Sequence, residues 1–451
     1  MEFGRLNARL IARLCDAPAM TYQRLIQRLN VRMIQEGGHR LGLLPVHFIF
    51  DSADGVQLAE AATALVQAQT RIIRHLIEHE GRDGLMERFE VPKGMQRFIN
   101  WTELTNPTQF VARFDILQSD DGYHFCEFNV DSCVAGAEIS EYMVDYFDGL
   151  GVTANEHLPI RLPLLDLALL LRDIAHQKQL ERVVILDWSI GGGSPGKGYF
   201  SFERMRACLA RELAPIPIFI ANEKTYDRRW IDAQEARRTL VHRGFMMDEM
   251  DDQGQFLDEL LAAGTTVVNT YESEIRMNKV WFALFHDPLL NAHVLTENER
   301  KLIAKYVPRT CEISSQNLHA LLAQKDAYIF KAKQSFGGAG ILIGDEIDTA
   351  ALEVALHKNG LGNFVAQEML RLSPISCPYD ADLHCVPSNL VFGLYLYGTR
   401  ANGMLVRSSR VSRIVNVTAG HAKMAWALAA TPQAEQELLA QLARSLSASD
   451  C

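Results

Sequence analysis

At 451 residues the chain exceeds what one simple core supports, so two or three domains, or one elaborate one, are expected. A hydrophobic share of 48% and a charged share of 22% are those of a globular protein, and a net charge of −10 argues against duplex DNA or an anionic membrane as the main partner. No apolar run approaches the roughly 20 residues that span a bilayer; the greasiest stretch, Leu162 to Leu171, is broken by Asp166, so a cytoplasmic protein without nucleic-acid or membrane partners is the expectation.

Taken in order, residues 1–35 and Gly55 to Glu80 carry helical apolar spacing, with Val46 to Phe50 between them as a short strand. Two further strands, Phe110 to Leu117 and Tyr123 to Val130, flank Gln118-Ser119-Asp120-Asp121-Gly122, whose Asp-Gly step predicts a hairpin. Helices follow near Ala137 and over Leu164 to Gln177. From Arg182 strands alternate with helices: Val183 to Trp188, a glycine loop, helical Phe202 to Glu212, then strands Ile216 to Ala221 and Thr265 to Tyr271. That alternation predicts a small parallel α/β domain over 182–271. Beyond it come a helix over Ile275 to Leu284, a strand Ala327 to Lys333, a glycine turn Ser335 to Gly340, and strands through Ile341, Asn363 to Leu370 and Asn389 to Gly398. The last 35 residues, rich in alanine, are expected to be helical. The division is therefore 1–181, 182–271 and 272–451.

Eight cysteines include no CxxC, and Cys377, His384 and Cys385 lack zinc-like spacing, so reduced thiols are expected. The chemistry starts at Arg113, Asp115, Glu127 and Asn129. Side chains two apart on a strand share a face, so the hairpin would bring both pairs to one surface while Phe114, Phe125 and Phe128 are buried on the other. Three hard oxygens and a cation suit Mg²⁺ with nucleotide phosphates; a strand with a solvated polar face gives the same pattern. Lys331 and Lys333 precede the turn Ser335 to Gly340, whose amides could wrap a phosphate; an ordinary hairpin with a flexible tip is the other reading, although the turn holds more glycine than a hairpin needs. Gly191 to Gly198 (GGGSPGKG) sits between strand and helix like a P-loop, but Gly198 stands where Ser or Thr would ligate the metal. A phosphotransferase built on Lys197 therefore stays open as an alternative, as does a binding protein without turnover. Arg407, Arg410 and Arg413, spaced by three, either surround an anion or form a solvated basic stretch.

In combination these motifs resemble the circularly permuted ATP-grasp ligases, the glutathionylspermidine synthetase-like group above all. The resemblance rests on ARFD (Ala112 to Asp115), EFNVD (Glu127 to Asp131), MNKVW (Met277 to Trp281), FKAKQSFGGAGI (Phe330 to Ile341) and VAQEM (Val365 to Met369). Ordinary ATP-grasp enzymes present the nucleotide lysines before the metal carboxylates; the reversed order here implies a permutation, with 182–271 as an inserted parallel α/β substrate domain in an α+β and α/β chain. The resemblance implies Mg²⁺ on Asp115, Glu127 and Asn129, Arg113 steadying the transferring phosphoryl group, and ATP phosphates on Lys279 and Lys331. It further implies a lid turn including Ser335, Gly337 and Gly338, and adenine received along Gln367, Glu368, Met369 and Leu370. The activity implied is ATP- and Mg²⁺-dependent amide formation from small carboxylate and amine substrates through an acylphosphate. Members are often homodimers, on which these residues do not bear. Ala332 replaces the proline after the lid lysine, Phe336 and Gly337 replace the Arg-Glu pair of the lid, and no amidase segment with a cysteine nucleophile is present, so the substrates are not carried over. Asn416 and Arg407 match the relatives' further metal or phosphate contacts only loosely.

Overall fold

A computed structural model describes residues 24, 26–32, 42–44, 48–131, 136–149, 151–152, 162–189, 202–335, 338, 340–372, 374–380, 384–415 and 422–448. Of the helix expected over 1–35, residues 26–32 fall among these and are helical. Strand β1 (Phe48–Asp51) leads into helix α1 (Ser52–Arg88), interrupted at Gly81, and the chain then forms the hairpin β2 (Val111–Ser119) and β3 (Gly122–Asn129). Helices α2 (Ile139–Gly149) and α3 (Pro163–Lys178) follow where expected.

Next come β4 (Arg182–Asp187), α4 (Phe202–Leu213), β5 (Ile218–Asn222), β6 (Thr239–Arg243), α5 (Gln255–Ala263) and β7 (Thr266–Val268). These strands form an all-parallel sheet in the order β5-β4-β6-β7. Val183 and Ile185 enter one core and Val184 and Leu186 another, which is why the strand reads as an unbroken apolar run: both faces are covered. Strand β6 has no counterpart in the expected elements, because Thr239, His242 and Arg243 break its apolar signal although all five residues are buried.

The helix expected over Ile275 to Leu284 is two short helices, α6 (Glu272–Met277) and α7 (Val280–Leu284). Asn278 is extended at the joint and its Oδ1 accepts the Val280 amide at 2.9 Å, a side-chain cap that competes with continuing the helix. A second, antiparallel sheet in the order β10-β9-β11-β8 comprises β8 (Thr310–Glu312), β9 (Tyr328–Ala332), β10 (Ile341–Ile343) and β11 (Phe364–Glu368). Helices α8 (Leu318–Ala323) and α9 (Thr349–Asn359) pack Leu318, Leu321, Leu352 and Leu356 against Phe330, Phe364 and Ala366 on one of its faces.

Finally β12 (Ile375–Pro378), β13 (Cys385–Tyr397), β14 (Arg400–Ser409) and β15 (Lys423–Ala430) join β1 and the hairpin in the seven-stranded main sheet, ordered β1-β15-β14-β13-β2-β3 with β12 on β13. The wholly helical C-terminus is thereby corrected. Only α10 (Pro432–Ala448) is helical, and KMAWALAA is an inner strand between β14 and β1. Alanine favours helix in isolation, but buried in a sheet its small side chain leaves room for α1, which packs Leu58, Leu65 and Ile72 into the cluster that holds Ala425 and Ala427. Cys377 and Cys385, on paired strands, are not joined in a disulfide. Among the described residues no helix is long and apolar enough to cross a membrane.

On one face of the main sheet Phe114, Phe128, Phe392, Leu394 and Val406 enter the same apolar core as Leu58, Leu65 and Ile72 of α1, each large side chain contributing about 1.5–3 kcal/mol by burial. The other face is divided. Tyr395, Tyr397, Leu405 and Trp426 pack against α3, and beside them lies a charged region.

Candidate functional site

The hairpin pairs Arg113 with Asn129 and Asp115 with Glu127, so the four residues share one surface as their spacing predicts. A strict two-residue alternation would, however, put Phe125 on the same face as Glu127. It does not, because the register shifts between Asp115 and Ile116, leaving Cys126 as an extra residue in β3. This bulge lets Phe125 and Phe128 both enter the core while Glu127 and Asn129 face the site, and Phe128 stacks on Phe282 with ring centroids 4.5 Å apart.

Asp115 is the electrostatic centre of the face. Arg113 Nε lies 2.9 Å from its Oδ1 and Arg407 Nη2 lies 2.5 Å from its Oδ2, so both carboxylate oxygens are paired. Burial alone would raise its carboxyl, but Arg113 and Arg407 outweigh burial and hold it below the ordinary 3.8. Arg113 is seated by Gly393, its diagonal neighbour on β13. A Cβ at Gly393 would lie 2.5 Å from Arg113 Cδ, so any larger residue there would push the Arg113 side chain aside, while Tyr395, paired directly with Arg113, adds a hydrogen bond. Sequence inspection passed over Gly393 and Tyr395; a glycine inside an aromatic and β-branched strand is the signal that marks such a close approach. Gly393→Ala is expected to swing Arg113 off Asp115, lowering stability by about 1–3 kcal/mol, with denaturant unfolding as the measure.

The lysines arrive from the other side. Lys279, at the joint between α6 and α7, places Nζ 2.9 Å from Glu127 Oε1 and donates to the Ser335 carbonyl, while its amide donates to Lys333 O at 3.0 Å. Lys331 on β9 donates to Cys126 O at 2.9 Å and to Gln367 Oε1 at 2.7 Å. The bulged carbonyl of the main sheet is thus tied to the second sheet. Burial pulls the Lys331 ammonium below its ordinary 10.5, and two of its three donors end on neutral oxygens, leaving a charge that an anion would stabilise.

Between the two sheets lies a cavity of about 70 Å³ lined by Lys331 and by all four of Gln367, Glu368, Met369 and Leu370, with Leu117, Ile329 and Ile343 as apolar walls. The Glu368 and Met369 amides donate to Arg309 O at 2.7 Å and Ala327 O at 2.8 Å, so those two are engaged within the protein. Gly338 is in a left-handed turn at φ +79°. Gly337, Asn416 and the whole of Gly191 to Gly198, with Lys197, lie outside the described residues. The three arginines part company: Arg407 pairs with Asp115, Arg410 with Asp380 at 3.3 Å, and Arg413 with Asp345 at 2.8 Å, so they form no common anion site.

No family model and no curated protein matches the chain. Among solved structures it is similar to a glutathione synthetase like-effector (GSS30) from Globodera pallida, with 13% identity and a TM-score of 0.57, over 92% of this chain and 99% of that one. A protein assigned as a gamma-glutamylcysteine synthetase, from Methylobacillus flagellatus KT, aligns at 12% identity and a TM-score of 0.42 over 85% and 95% of the two chains. At such identity the first likeness shows the fold alone: the chain shares the architecture of the glutathione synthetase like-effector, here built from parallel and antiparallel sheets.

Proposed function

We propose that the chain is an ATP- and Mg²⁺-dependent ligase that joins a small carboxylate to an amine. The observation that carries this is that Lys279 pairs with Glu127 on the Arg113, Asp115, Glu127 and Asn129 face, while Lys331 reaches the neighbouring Cys126 carbonyl and lines a cavity with Gln367 to Leu370. Lysines from one part of the chain and carboxylates from another, in the reverse of the usual ATP-grasp order, support a permuted grasp of the glutathionylspermidine synthetase-like kind. The parallel sheet within 182–271 is its inserted substrate domain.

In this reading the base enters the slot beside Glu368 to Leu370, where the Leu370 amide is the one of its three amides not engaged by another described residue. Lys331 and Lys279 hold the phosphates, and the turn from Ser335 through Gly338 to Gly340 covers them. Glu127 and Asn129 fit a magnesium ion: Glu127 is partly exposed, and Asn129 donates its amide nitrogen to Arg113 O at 3.1 Å, turning its oxygen the other way. Asp115 joins them only by releasing one of its two arginines. Bound magnesium would neutralise charge on the phosphates.

The substrate carboxylate oxygen attacks the γ-phosphorus and ADP leaves; the amine nitrogen then attacks the acyl carbon, loses a proton, and phosphate leaves. Arg113, kept charged by Asp115 and Tyr395, stabilises the negative charge that builds on the phosphoryl group and on the tetrahedral adduct. Excluding water from the acylphosphate is the task of the lid turn.

Nucleotide binding tests the assignment directly. Lys331→Ala is expected to weaken binding of a non-hydrolysable ATP analogue at least about tenfold, while Lys197→Ala leaves it unchanged. The opposite outcome would move the site to the Gly191 to Gly198 loop.

A further inference from the structure

Asp131 closes the EFNVD motif two residues beyond Asn129, and its buried carboxylate pairs with Arg243, 2.9 Å away at the end of β6. Arg243 is itself fully buried, which a guanidinium tolerates only where its N–H groups are met. Its Nε donates to Asn269 O at 2.9 Å and its Nη1 to Phe245 O at 2.6 Å. Its Nη2 donates to Ser273 Oγ at 3.0 Å as well as to Asp131. These acceptors belong to four segments: the exits of β6 and β7, the end of β3, and α6.

Helix α6 meets the pair twice. Besides Ser273, its Glu274 is hydrogen-bonded to Asp131: burial, then the Asp131 charge, push the Glu274 carboxyl up to about 8, so at neutral pH it carries the proton it donates. On its other side α6 is anchored by Arg276, whose Nη2 donates to Thr70 Oγ1 of α1 at 3.1 Å and to Leu104 O at 2.6 Å. Six residues beyond Ser273 comes Lys279, which pairs with Glu127. The spacing between Lys279 and the metal face therefore depends on how the end of β3 sits against α6, and one guanidinium spans both. A buried ion pair gains little stability over an apolar replacement, but the planar fork of an arginine admits one geometry.

We infer that Arg243 is a positioning residue: from the parallel sheet it fixes the end of β3 against α6, and so holds Glu127 and Asn129 at the spacing from Lys279 that a magnesium–nucleotide complex requires. The identity of that complex rests on the ligase reading. The sheet within 182–271 thereby takes part in assembling the metal face, since a displacement of the exit of β6 is passed to Asp131 and Ser273 together.

The test titrates Mg²⁺ into the full chain in the presence of a non-hydrolysable ATP analogue and follows binding of the analogue. Arg243→Lys keeps a charge opposite Asp131 but offers one nitrogen in place of three. It is expected to raise the Mg²⁺ concentration for half-maximal binding by about 10–100-fold, the range for residues that orient metal ligands. Ser273→Ala deletes one acceptor, leaves the ion pair, and is expected to raise that concentration at least about threefold. Arg182→Ala is the control: Arg182 lies in the same sheet, where it holds Glu235 and Thr239, and touches neither Asp131 nor α6. Its loss is expected to lower the unfolding midpoint and leave the Mg²⁺ requirement unchanged. The role of Arg243 is overturned if Arg243→Lys, or Ser273→Ala where the lysine variant does not fold, leaves the Mg²⁺ requirement unchanged, and equally if Arg182→Ala shifts it as far. Failure of the wild-type chain to bind the analogue at any Mg²⁺ concentration would instead overturn the ligase reading, and the positioning role with it.

Discussion

Replacing Asp115 by asparagine is expected to destabilise the protein by about 3–5 kcal/mol, the cost of leaving buried charges unpaired. Asp115 is 2% exposed and bridges Arg113 and Arg407, whose own side chains are 10% and 14% exposed, so neither guanidinium can turn to water when the carboxylate is lost. The effect carries a pH signature. The folded carboxyl titrates below the ordinary 3.8, so its stabilisation is fully present above that value and is lost as pH falls through the lower folded value. Urea unfolding of the wild type should therefore weaken in that acidic window, and Asp115→Asn should remove this part of the acid dependence while lowering the midpoint at neutral pH. Equal midpoints for the two proteins at pH 7 would refute the role given to Asp115.

A neighbouring substitution should separate stability from turnover. Glu127→Gln keeps an oxygen to accept from Lys279 but removes the charge that a metal needs. Since Glu127 is one-quarter exposed, the fold should lose only about 1 kcal/mol. ADP release with any active acid–amine pair should fall by at least about a hundredfold. Retained turnover would remove Glu127 from the metal assignment, and a collapse in stability like that of Asp115→Asn would recast it as structural.

These contrasting outcomes show what the sequence could and could not disclose. The hairpin, the pairing of Arg113-Phe114-Asp115 with Glu127-Phe128-Asn129, and strands β9 and β10 on either side of the glycine segment were legible because local periodicity and turn chemistry dictate them. So was the parallel sheet, apart from β6, whose buried His242 and Arg243 disguise it. Strand β15 was hidden because alanine carries no strand preference of its own; neighbours supply it. The candidate site was legible as residues but not as roles. Asp115 resembles Glu127 in sequence, yet Arg407, 292 residues away, pairs with one and not the other.

The bulge at Cys126 makes β3 a strand in two phases. Up to Phe125 the even–odd rule assigns alternate residues to core and site one way; from Glu127 onward it assigns them the other way, and Cys126 is the half-step that reconciles them. Deleting that single residue would remove the bulge and leave plain alternation to put Phe125 and Phe128 in the core and Glu127 and Asn129 at the site, but it would take away the Cys126 carbonyl that accepts from Lys331. The extra residue is therefore there for its backbone and not for the phase of its neighbours: its carbonyl ties Lys331 to the main sheet. A distant relative one residue shorter here could keep Phe125, Glu127, Phe128 and Asn129 on their faces and would have to hold that lysine in another way.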